Sequence, residues 1–484
     1  MHISKLSLPA MPLLLLLAGC ATSSPQAARP AVQSQLGART DLAATWPLTE
    51  EERAQAEAAV RDLLAGDLTV DSAVKVALLN NRNLRATFEE LGLSQAALAA
   101  ATRLPNPSFD ASVRWPHDAP RSPNVEFGLT APLLESLLLP ARKQLAQDQL
   151  AQTQYRVSHE VLALAAEVRQ AAYEALAQQE LRARLAVIAE VNDAAADLAR
   201  RQFEAGNIPQ LELAQIQASA QQTQVELARA DAEIRAARER LNRLLGLAAA
   251  QTGWKFAGGL PGLPADDGLP DDLEAIAVAQ RLDLAALRSQ AELARKALDL
   301  KRRTRLLPGG VDLGVDTERE PGGAGGHAHV TGPRLTVELP LFDQGQPELA
   351  RLAAELRQTR DRAEALAADI GSEVRAARDR LIAARQAVVF YQQTLLPQRR
   401  TILRQSLLHY NAMQKSVYAL LAAKEEQQLA EKQSIEALRD YWSARAELER
   451  ALGRHLPAPA QASSEESPAD PKEEPAAEHH HSHH

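Results

Sequence analysis

The chain has little of what compact or disulfide-bonded domains are built from. Among its 484 residues there is one cysteine, Cys20, so an intramolecular disulfide is excluded. Aromatic residues make up only 4% of the sequence, whereas alanine, leucine, glutamine, glutamate and arginine are abundant. This composition is typical of long helices that pack against one another rather than around one compact core.

The sequence also lacks a basic excess and any catalytic pattern. The formal net charge is -8 and no basic arm or face stands out, which argues against nucleic acid as a partner. The 12 histidines never form the His-Glu-x-x-His pattern of a zinc protease, and no glycine-rich phosphate loop is present. We therefore expect that the protein is not an enzyme and that it has no cofactor.

The N-terminal hydrophobic segment is too short to cross a bilayer. It covers residues 6–19 and contains two prolines, whereas a spanning helix needs about 20 apolar residues. Basic residues precede it and small residues follow, which is typical of a secretion signal. Leu17-Ala18-Gly19-Cys20 resembles a bacterial lipobox. We predict a signal peptide over 1–19, a covalent lipid on Cys20 and, because Ala21 rather than Asp follows, sorting to the outer membrane.

Two stretches without a packing pattern flank the predicted fold. Residues 20–48 are rich in Ser, Pro, Ala and Gln and predict a lipidated, flexible tether. Residues 455–484 predict a disordered tail, because Pro, Ala, Ser and Glu dominate there. The tail ends in histidines that are either candidate weak metal ligands, an affinity tag or a harmless polar end: His479, His480, His481, His483 and His484.

Long segments of the remaining chain contain neither glycine nor proline. Residues 141–205 have none, and at 1.5 Å per residue they predict a helix ~98 Å long. Gly206-Asn207-Ile208-Pro209 then predicts a turn, since glycine tolerates a left-handed cap and proline suits the start of a helix. A second long segment, 348–408, contains Pro397, which predicts a kink or a break. Further helices are predicted over 70–102, 210–245, 271–304 and 415–452.

The chain carries an internal two-fold repeat. Residues 69–247 and 271–454 share one order of elements, which runs helix, strand pair, long helix, turn and helix. The helical ends align without a gap at an offset of 207; matching pairs include Arg238 and Arg445, Leu241 and Leu448, and Gly246 and Gly453. Neither copy could close a core alone, so we expect one structural unit over 49–454.

Four segments alternate between apolar and polar residues with period two, which predicts strands at about 108–115, 124–131, 310–317 and 333–341. One face is apolar, and the other carries Asp110, Arg114, Glu126, Asp312, Asp316, Arg334 and Glu338. Period two alone does not distinguish a lipid-facing sheet from one that covers a protein core. The predicted outer-membrane destination favours lipid, because barrels there place apolar residues outward and polar residues toward a lumen.

Four strands cannot close a barrel by themselves. Open sheet edges are not tolerated in hydrocarbon, so several copies must share one barrel. The smallest such barrels have eight strands, which allows a dimer with eight or a trimer with twelve. The polar face would then line a lumen with either of two properties. Its excess of carboxylates favours cations, or its charges pair with one another and only keep the wall wet.

Several short motifs, in their order along the chain, resemble the TolC family, the outer-membrane factors of tripartite efflux and type I secretion systems. They lie at 68–73, 80–84, 104–107 and 201–208. The first helix and residues 89–93 are similar to the lipoprotein branch that includes heavy-metal efflux channels. The resemblance implies a mainly α fold with a small β part: helical hairpins form a periplasmic α-barrel, and each protomer adds four strands to a shared transmembrane β-barrel.

The resemblance also implies partners and sites. A homotrimer in the outer membrane of a Gram-negative bacterium would work with a periplasmic adaptor and an inner-membrane RND-type pump. The adaptor-facing tip would comprise Arg201, Gly206, Asn207, Ile208 and Pro209. The candidates for a periplasmic gate are Tyr410, Asn411, Met413, Gln414 and Lys415. There is no Asp between His409 and Lys424, so the aspartate gate of some relatives is not expected here.

One more pair of histidines stands out. His327 and His329 lie in the glycine-rich connection predicted between the third and fourth strands, where they are candidate weak metal ligands. The leading interpretation of the whole chain is a passive efflux duct for metal cations or drugs. A type I secretion duct and a periplasmic coiled-coil lipoprotein without a pore are the alternatives.

Overall fold

The computed structural model describes residues 25–40, 46–115, 117, 123–307, 310–321 and 327–456. The predicted signal peptide, Cys20 and the terminal histidines 479–484 lie outside these residues, so those assignments stay predictions. The described part of the chain is mostly helical, and none of its helices is long and apolar enough to cross a membrane.

The first half of the chain runs from a short N-terminal helix to the first long hairpin. Its elements are α1 Arg29–Gly37, α2 Glu50–Ala65, α3 Val70–Asn80, α4 Arg82–Ala101, β1 Ser108–Arg114, β2 Asn124–Pro132, α5 Leu133–Leu137, α6 Leu139–Glu204 and α7 Gln210–Leu245. The second half contains α8 Leu273–Gln280, α9 Leu282–Thr304, β3 Val311–Pro321, β4 His327–Val337, α10 Gln346–Phe390, α11 Leu396–Asn411 and α12 Val417–Leu452. Each half therefore presents the same order of paired helices, paired strands and a helical hairpin.

The return helices of both hairpins end on a left-handed glycine. Gly246 follows α7 and Gly453 follows α12, each with φ 68°. A Cβ atom on Gly246 would lie 2.8 Å from the carbonyl oxygen of Asn80, and one on Gly453 would lie 3.2 Å from the Cα of Arg281. The two helix ends thus fit into the breaks between α3 and α4 and between α8 and α9. These breaks split the helices that we predicted over 70–102 and 271–304.

The two outgoing helices differ in continuity. The helix predicted over 141–205 is confirmed, because α6 is a single helix of 66 residues. The second outgoing helix is interrupted by a π-helix of 5 residues, Tyr391–Leu395, in front of Pro397. The amide of Leu396 donates to the carbonyl of Tyr391, five residues back, instead of the usual four. The kink or break predicted at Pro397 is thus present as a π-helix within a continuous run of helical residues, next to a proline that lacks the amide for the usual hydrogen bond.

The predicted flexible tether over 20–48 is wrong for the part that the structure describes. Ala28, just before α1, and Val32 and Leu36 within it are at most 1% exposed, and they recur every four residues as one buried stripe. The hydroxyl of Ser158 on α6 donates to Gln35 at 2.8 Å. The Ser, Pro and Gln content predicted a tether, although the segment contains an amphipathic helix. This helix packs because its apolar residues share one face.

A similar correction applies to the C-terminal boundary at 455. Leu456 is 1% exposed, and the amide of His455 donates to the carbonyl of Arg39 at 2.8 Å. The Nδ1 atom of His455 lies 2.8 Å from a carboxylate oxygen of the buried Glu449. Residues 455 and 456 therefore belong to the packed unit, because this segment contacts the N-terminal segment.

The linker between the halves, residues 246–272, is held by matching arginines of the two return helices. Arg238 donates to the carbonyl of Trp254 at 2.8 Å, and Arg445 donates to the carbonyl of Asp267 at 3.1 Å. The buried Asp267 carboxylate accepts from the Tyr441 hydroxyl at 2.6 Å and from Arg385 at 2.7 Å. Burial raises the pKa of Tyr441, and the hydrogen bond to Asp267 raises it further. These contacts join the linker to the helical core.

The four strands form one antiparallel sheet in the order β1-β2-β3-β4. The predicted strands at 108–115 and 124–131 agree with β1 and β2 to within one residue. The strand predicted over 333–341 is misplaced, because β4 begins at His327 and ends at Val337. Likewise β3 continues to Pro321, four residues beyond the predicted end at 317. Pairing between the two strands extends their hairpin into a glycine- and histidine-rich stretch whose sequence does not alternate clearly.

Candidate functional site: the polar face of the sheet and the two hairpin tips

The apolar face of the sheet is continuous across all four strands. Phe109, Leu129, Val315 and Pro333 lie side by side in one row, and Ala131, Leu313 and Leu335 lie side by side in the row nearer the helices. Phe109 and Leu335 are 69% and 64% exposed. This face therefore covers no core of its own chain, and the predicted alternation is confirmed.

The opposite face is polar, and most of its charges pair with one another. Arg114 contacts Glu126 at 2.7 Å, and Arg334 lies 3.5 Å from Asp316 and 3.9 Å from Asp110. These are five of the seven predicted lumen residues. The geometry supports the alternative in which the charges keep the wall wet by pairing with one another.

The contact between Asp110 and Arg334 also reports the curvature of the sheet. These residues lie on the two edge strands, with β2 and β3 between them. Side chains stand roughly perpendicular to a sheet, so the first and fourth strands make contact only if the sheet curls toward this face. Gly128 and Gly314 leave room on the strands between, and the Asp110 carboxylate lies 2.4 Å from where a Cβ on Gly128 would be. The polar face is thus the concave one.

Two of the predicted lumen residues lie differently from expectation. Glu338 is not a strand residue, because β4 ends at Val337, and its amide donates to the carbonyl of Gly310 at 3.0 Å. Asp312 lies opposite Thr336 and forms no ion pair with another described residue. Sequence reasoning also missed Glu318, which accepts a hydrogen bond from Asn124 on the polar face. It was missed because β3 was predicted to end one residue earlier.

The hairpin tips have the same backbone hydrogen bonds at equivalent positions. In the first tip the amide of Gly206 donates to Phe203 at 2.9 Å, and that of Asn207 donates to Gln202 at 2.8 Å. In the second tip the matching bonds run from Met413 to Tyr410 at 2.9 Å and from Gln414 to His409 at 2.8 Å. Both long helices therefore end in the same left-handed cap motif.

The residue in the left-handed position differs between the tips. Gly206 has φ 75°, whereas Met413 has φ 58° and is the one non-glycine residue with positive φ among the described residues. Such a conformation costs a residue with a Cβ about 1–2 kcal/mol. The Met413 side chain is 96% exposed, so contacts within its own chain do not offset that cost.

The other predicted tip residues lie around these caps. Arg201 is exposed and its carbonyl accepts from the amide of Ala205, Ile208 is half-buried, and Pro209 caps the start of α7. In the second tip, Asn411 ends α11, and the amide of Lys415 donates to the carbonyl of His409. The structure brings each set together, whereas their roles in docking and gating stay predictions. His409, whose Nδ1 lies 2.7 Å from the Gln414 side chain, was not among the candidates.

Two of the predicted metal ligands are strand residues. His327 and His329 lie in β4 rather than in the connection, and His329 pairs with Arg319 in the register. No group of three or more His, Cys, Asp or Glu side chains that could hold a metal ion occurs in the part of the chain that the structure describes.

Comparisons with known proteins show what this chain is similar to. Residues 73–247, from α3 to the end of the first hairpin, match the family described as outer membrane efflux protein. The chain is 26% identical over 402 residues to the cobalt-zinc-cadmium resistance protein CzcC of Cupriavidus metallidurans, with 81% of this chain and 91% of that protein covered.

Solved structures show the same fold. CusC matches with a TM-score of 0.66 and 16% identity over 80% of this chain and 92% of its own. The CmeC outer membrane channel of Campylobacter jejuni matches with a TM-score of 0.67 and 16% identity, over 80% of this chain and 86% of its own. The fold is that of an outer-membrane channel protomer. The partial match to the outer membrane efflux protein family and the shared fold agree with the resemblance that the motifs indicated.

Proposed function

We propose that this chain is the protomer of a passive exit duct in the outer membrane, through which a periplasmic adaptor and an inner-membrane RND-type pump expel heavy-metal cations. The named relative CzcC is a cobalt-zinc-cadmium resistance protein, which supports divalent metals as the substrate class. The chain itself supplies the wall, and the energy for transport comes from the pump.

The observation that carries this proposal is that a sheet with one apolar and one polar face continues into a long helical hairpin in the same molecule. The sheet has an exposed apolar face and a concave polar face, as a wall between lipid and water requires. It continues into α6, whose 66 residues span ~99 Å at 1.5 Å each. A periplasmic coiled-coil lipoprotein without a pore has no need of the exposed apolar sheet face.

The unpaired sheet edges support an assembly of several copies, for which we propose a homotrimer. In one protomer β1 and β4 each have one neighbour, and an open edge is not tolerated in hydrocarbon. Three copies close a barrel of twelve strands, within the range of known outer-membrane barrels. Native mass spectrometry of the detergent-extracted protein should give a trimer, and a monomer under all conditions would contradict this assembly.

The substrate is tested in a deletion strain. Loss of the gene should increase sensitivity to cobalt, zinc and cadmium salts, and the full-length chain should restore tolerance. Sensitivity to amphiphilic drugs alone would keep the duct and replace the substrate class. Unchanged tolerance to both, together with loss of a secreted polypeptide, would favour the type I secretion alternative.

Single-channel recording tests whether the carboxylates of the polar face set the ion selectivity of the duct. Replacing Asp312 and Asp316 by Asn removes two of its carboxylates, so we expect the preference for cations over anions to fall, because rings of carboxylates attract cations. An unchanged reversal potential would show that these two carboxylates do not set selectivity.

A further inference from the structure

The apolar face of the sheet is too short to cross the membrane by itself. Its outward positions along β3 are Val311, Leu313, Val315, Thr317 and Arg319. From Val311 to Thr317 the strand rises ~20 Å at ~3.4 Å per residue, and a tilt of ~40° reduces this to ~16 Å along the membrane normal. Outer-membrane barrels present an apolar band about 25 Å tall. The strands therefore leave about 9 Å of the band unaccounted for.

The missing height does not lie at the end of the sheet away from the helices. Arg319 and His329 face each other in the register and lie on the apolar side at that end. Trp115, just beyond β1, is 70% exposed there, and tryptophan is enriched at membrane interfaces. One boundary of the apolar band is therefore at this level, and the band must extend in the other direction, toward the helices.

Exposed apolar side chains lie at the helix end of every strand. We call them the leucine girdle: Leu104 before β1, Leu133 and Leu137 after β2, Leu306 before β3, and Leu339 and Phe342 after β4. Leu137 is 68% exposed and Phe342 is 100% exposed. Four separate segments of the chain thus carry large exposed apolar groups just beyond the helix end of the sheet.

A second copy of the chain does not account for the whole girdle. Neighbouring copies meet at the edge strands β1 and β4, whereas Leu133, Leu137 and Leu306 belong to the ends of the central strands. The short helix α5, which carries Leu133 and Leu137, lies against β3. Lipid is the occupant that reaches central and edge strands equally.

Basic side chains follow on the helix side of the girdle. Arg103, Lys143, Arg303 and Arg305 are all exposed there, next to the girdle residues in the sequence or in the following helix turn. Long basic side chains extend from an apolar boundary toward lipid phosphates, where anionic headgroups attract them. The order from apolar girdle to basic layer matches the order from acyl chains to headgroups in the periplasmic leaflet.

We propose that the leucine girdle lies in the acyl region of the periplasmic leaflet, so that the membrane covers the base of the sheet together with α5. The inference rests on the proposed function and adds the depth at which the protein is seated. The strands supply the outer part of the apolar band, and the girdle supplies the inner part.

The test uses variants of the full-length chain that each carry one added cysteine, labelled with a nitroxide and reconstituted into phospholipid vesicles. Leu137→Cys and Phe342→Cys report on the girdle, Phe127→Cys reports on the strands, and Leu211→Cys, at the far end of the hairpin, serves as a water-exposed control. The parent chain, labelled in parallel, provides the background from Cys20. We expect oxygen to relax both girdle labels several-fold more strongly, relative to a water-soluble nickel complex, than it relaxes the label at 211.

The possible outcomes are distinct. A lipid signal at 127 with a water signal at 137 and 342 overturns the girdle and leaves the proposed duct intact. Labels at 137 and 342 that neither reagent reaches indicate a protein contact and also overturn it. A water signal at 127 contradicts the membrane-embedded sheet and with it the proposed function.

Discussion

The two helical hairpins have the same order of elements but differ in the regularity of their backbone. The first is built from the uninterrupted α6 and ends on Gly206 in a relaxed left-handed cap. The second has a π-helix in the middle of its outgoing helix and holds Met413 in the same left-handed position. Local irregularity is thus confined to one hairpin of an otherwise repeated design. Since irregular backbone is retained at a cost, the second hairpin is the one in which we expect movement.

The largest effect should come from the linker that joins the halves. Asp267→Ala leaves the Tyr441 hydroxyl and the Arg385 guanidinium without their buried acceptor, and we expect a loss of roughly 3–5 kcal/mol in unfolding free energy. The residue of the first half that matches Tyr441 is Ile234, which has no hydroxyl. The contacts of Asp267 with Tyr441 and Arg385, which we call the clamp, therefore have no counterpart in the first half. Denaturant unfolding monitored by circular dichroism measures the loss. The exposed neighbour Asp266→Ala is the control, and an equal loss there would refute the clamp.

The continuity of α6 can be removed by placing proline where the second hairpin has it. Glu190 and Pro397 both lie sixteen residues before the left-handed residue of their tips. Glu190→Pro should cost about 3 kcal/mol, because α6 has no π-helix to accommodate the missing amide. Pro397→Ala should cost nothing and slow hydrogen exchange over 391–395. Glu190→Ala is the control, and a tolerated proline at 190 would show that the two helices are equally adaptable.

Replacing each of the two helix-ending glycines by alanine should destabilise the protein, and the loss should be larger where the added Cβ lies closer to its neighbour. Gly246→Ala brings a Cβ to 2.8 Å from a backbone oxygen, whereas Gly453→Ala brings it to 3.2 Å from a Cα. Both add left-handed strain of about 1 kcal/mol, and we expect the first to cost about 1 kcal/mol more, since backbone must move. Thermal unfolding of the two variants side by side measures the difference. Equal losses would mean that both breaks yield equally.

The smallest effect should come from exchanging the tip residues. Met413→Gly relieves the left-handed strain and should stabilise the tip by up to about 1 kcal/mol, whereas Gly206→Met should destabilise the other tip by a similar amount. Hydrogen exchange of the tip amides measures each effect. If Met413→Gly lowers metal tolerance in cells while it stabilises the tip, the exposed methionine has a use outside its own chain.

Much of the helical part was predictable, because single residues end helices for local reasons. Gly206 and Pro397 mark their breaks through a missing Cβ and a missing amide, and neither effect depends on distant packing. The alternation of Phe109, Ala111 and Val113 likewise predicted which face of β1 is apolar, since side chains in a strand point to opposite faces.

Other features depend on partners that are distant in sequence. The buried stripe of α1 looked like tether because its burial needs α6, more than a hundred residues away. The start of β4 depends on pairing with β3, and the neutralisation of Asp110 depends on Arg334 across two strands. The clash that reserves position 246 for glycine involves Asn80, which the local sequence does not reveal.

Local sequence was enough to predict the two hairpins, the left-handed cap at Gly206 and a two-faced set of strands, because these depend on the conformations that individual residues favour. The tertiary structure alone decided that the polar face is concave, that its charges pair and that apolar side chains ring the base of the sheet. The curvature of the sheet, its ion pairs and the grouping of apolar side chains at its base each involve residues that are distant in sequence. They therefore form only when the chain folds.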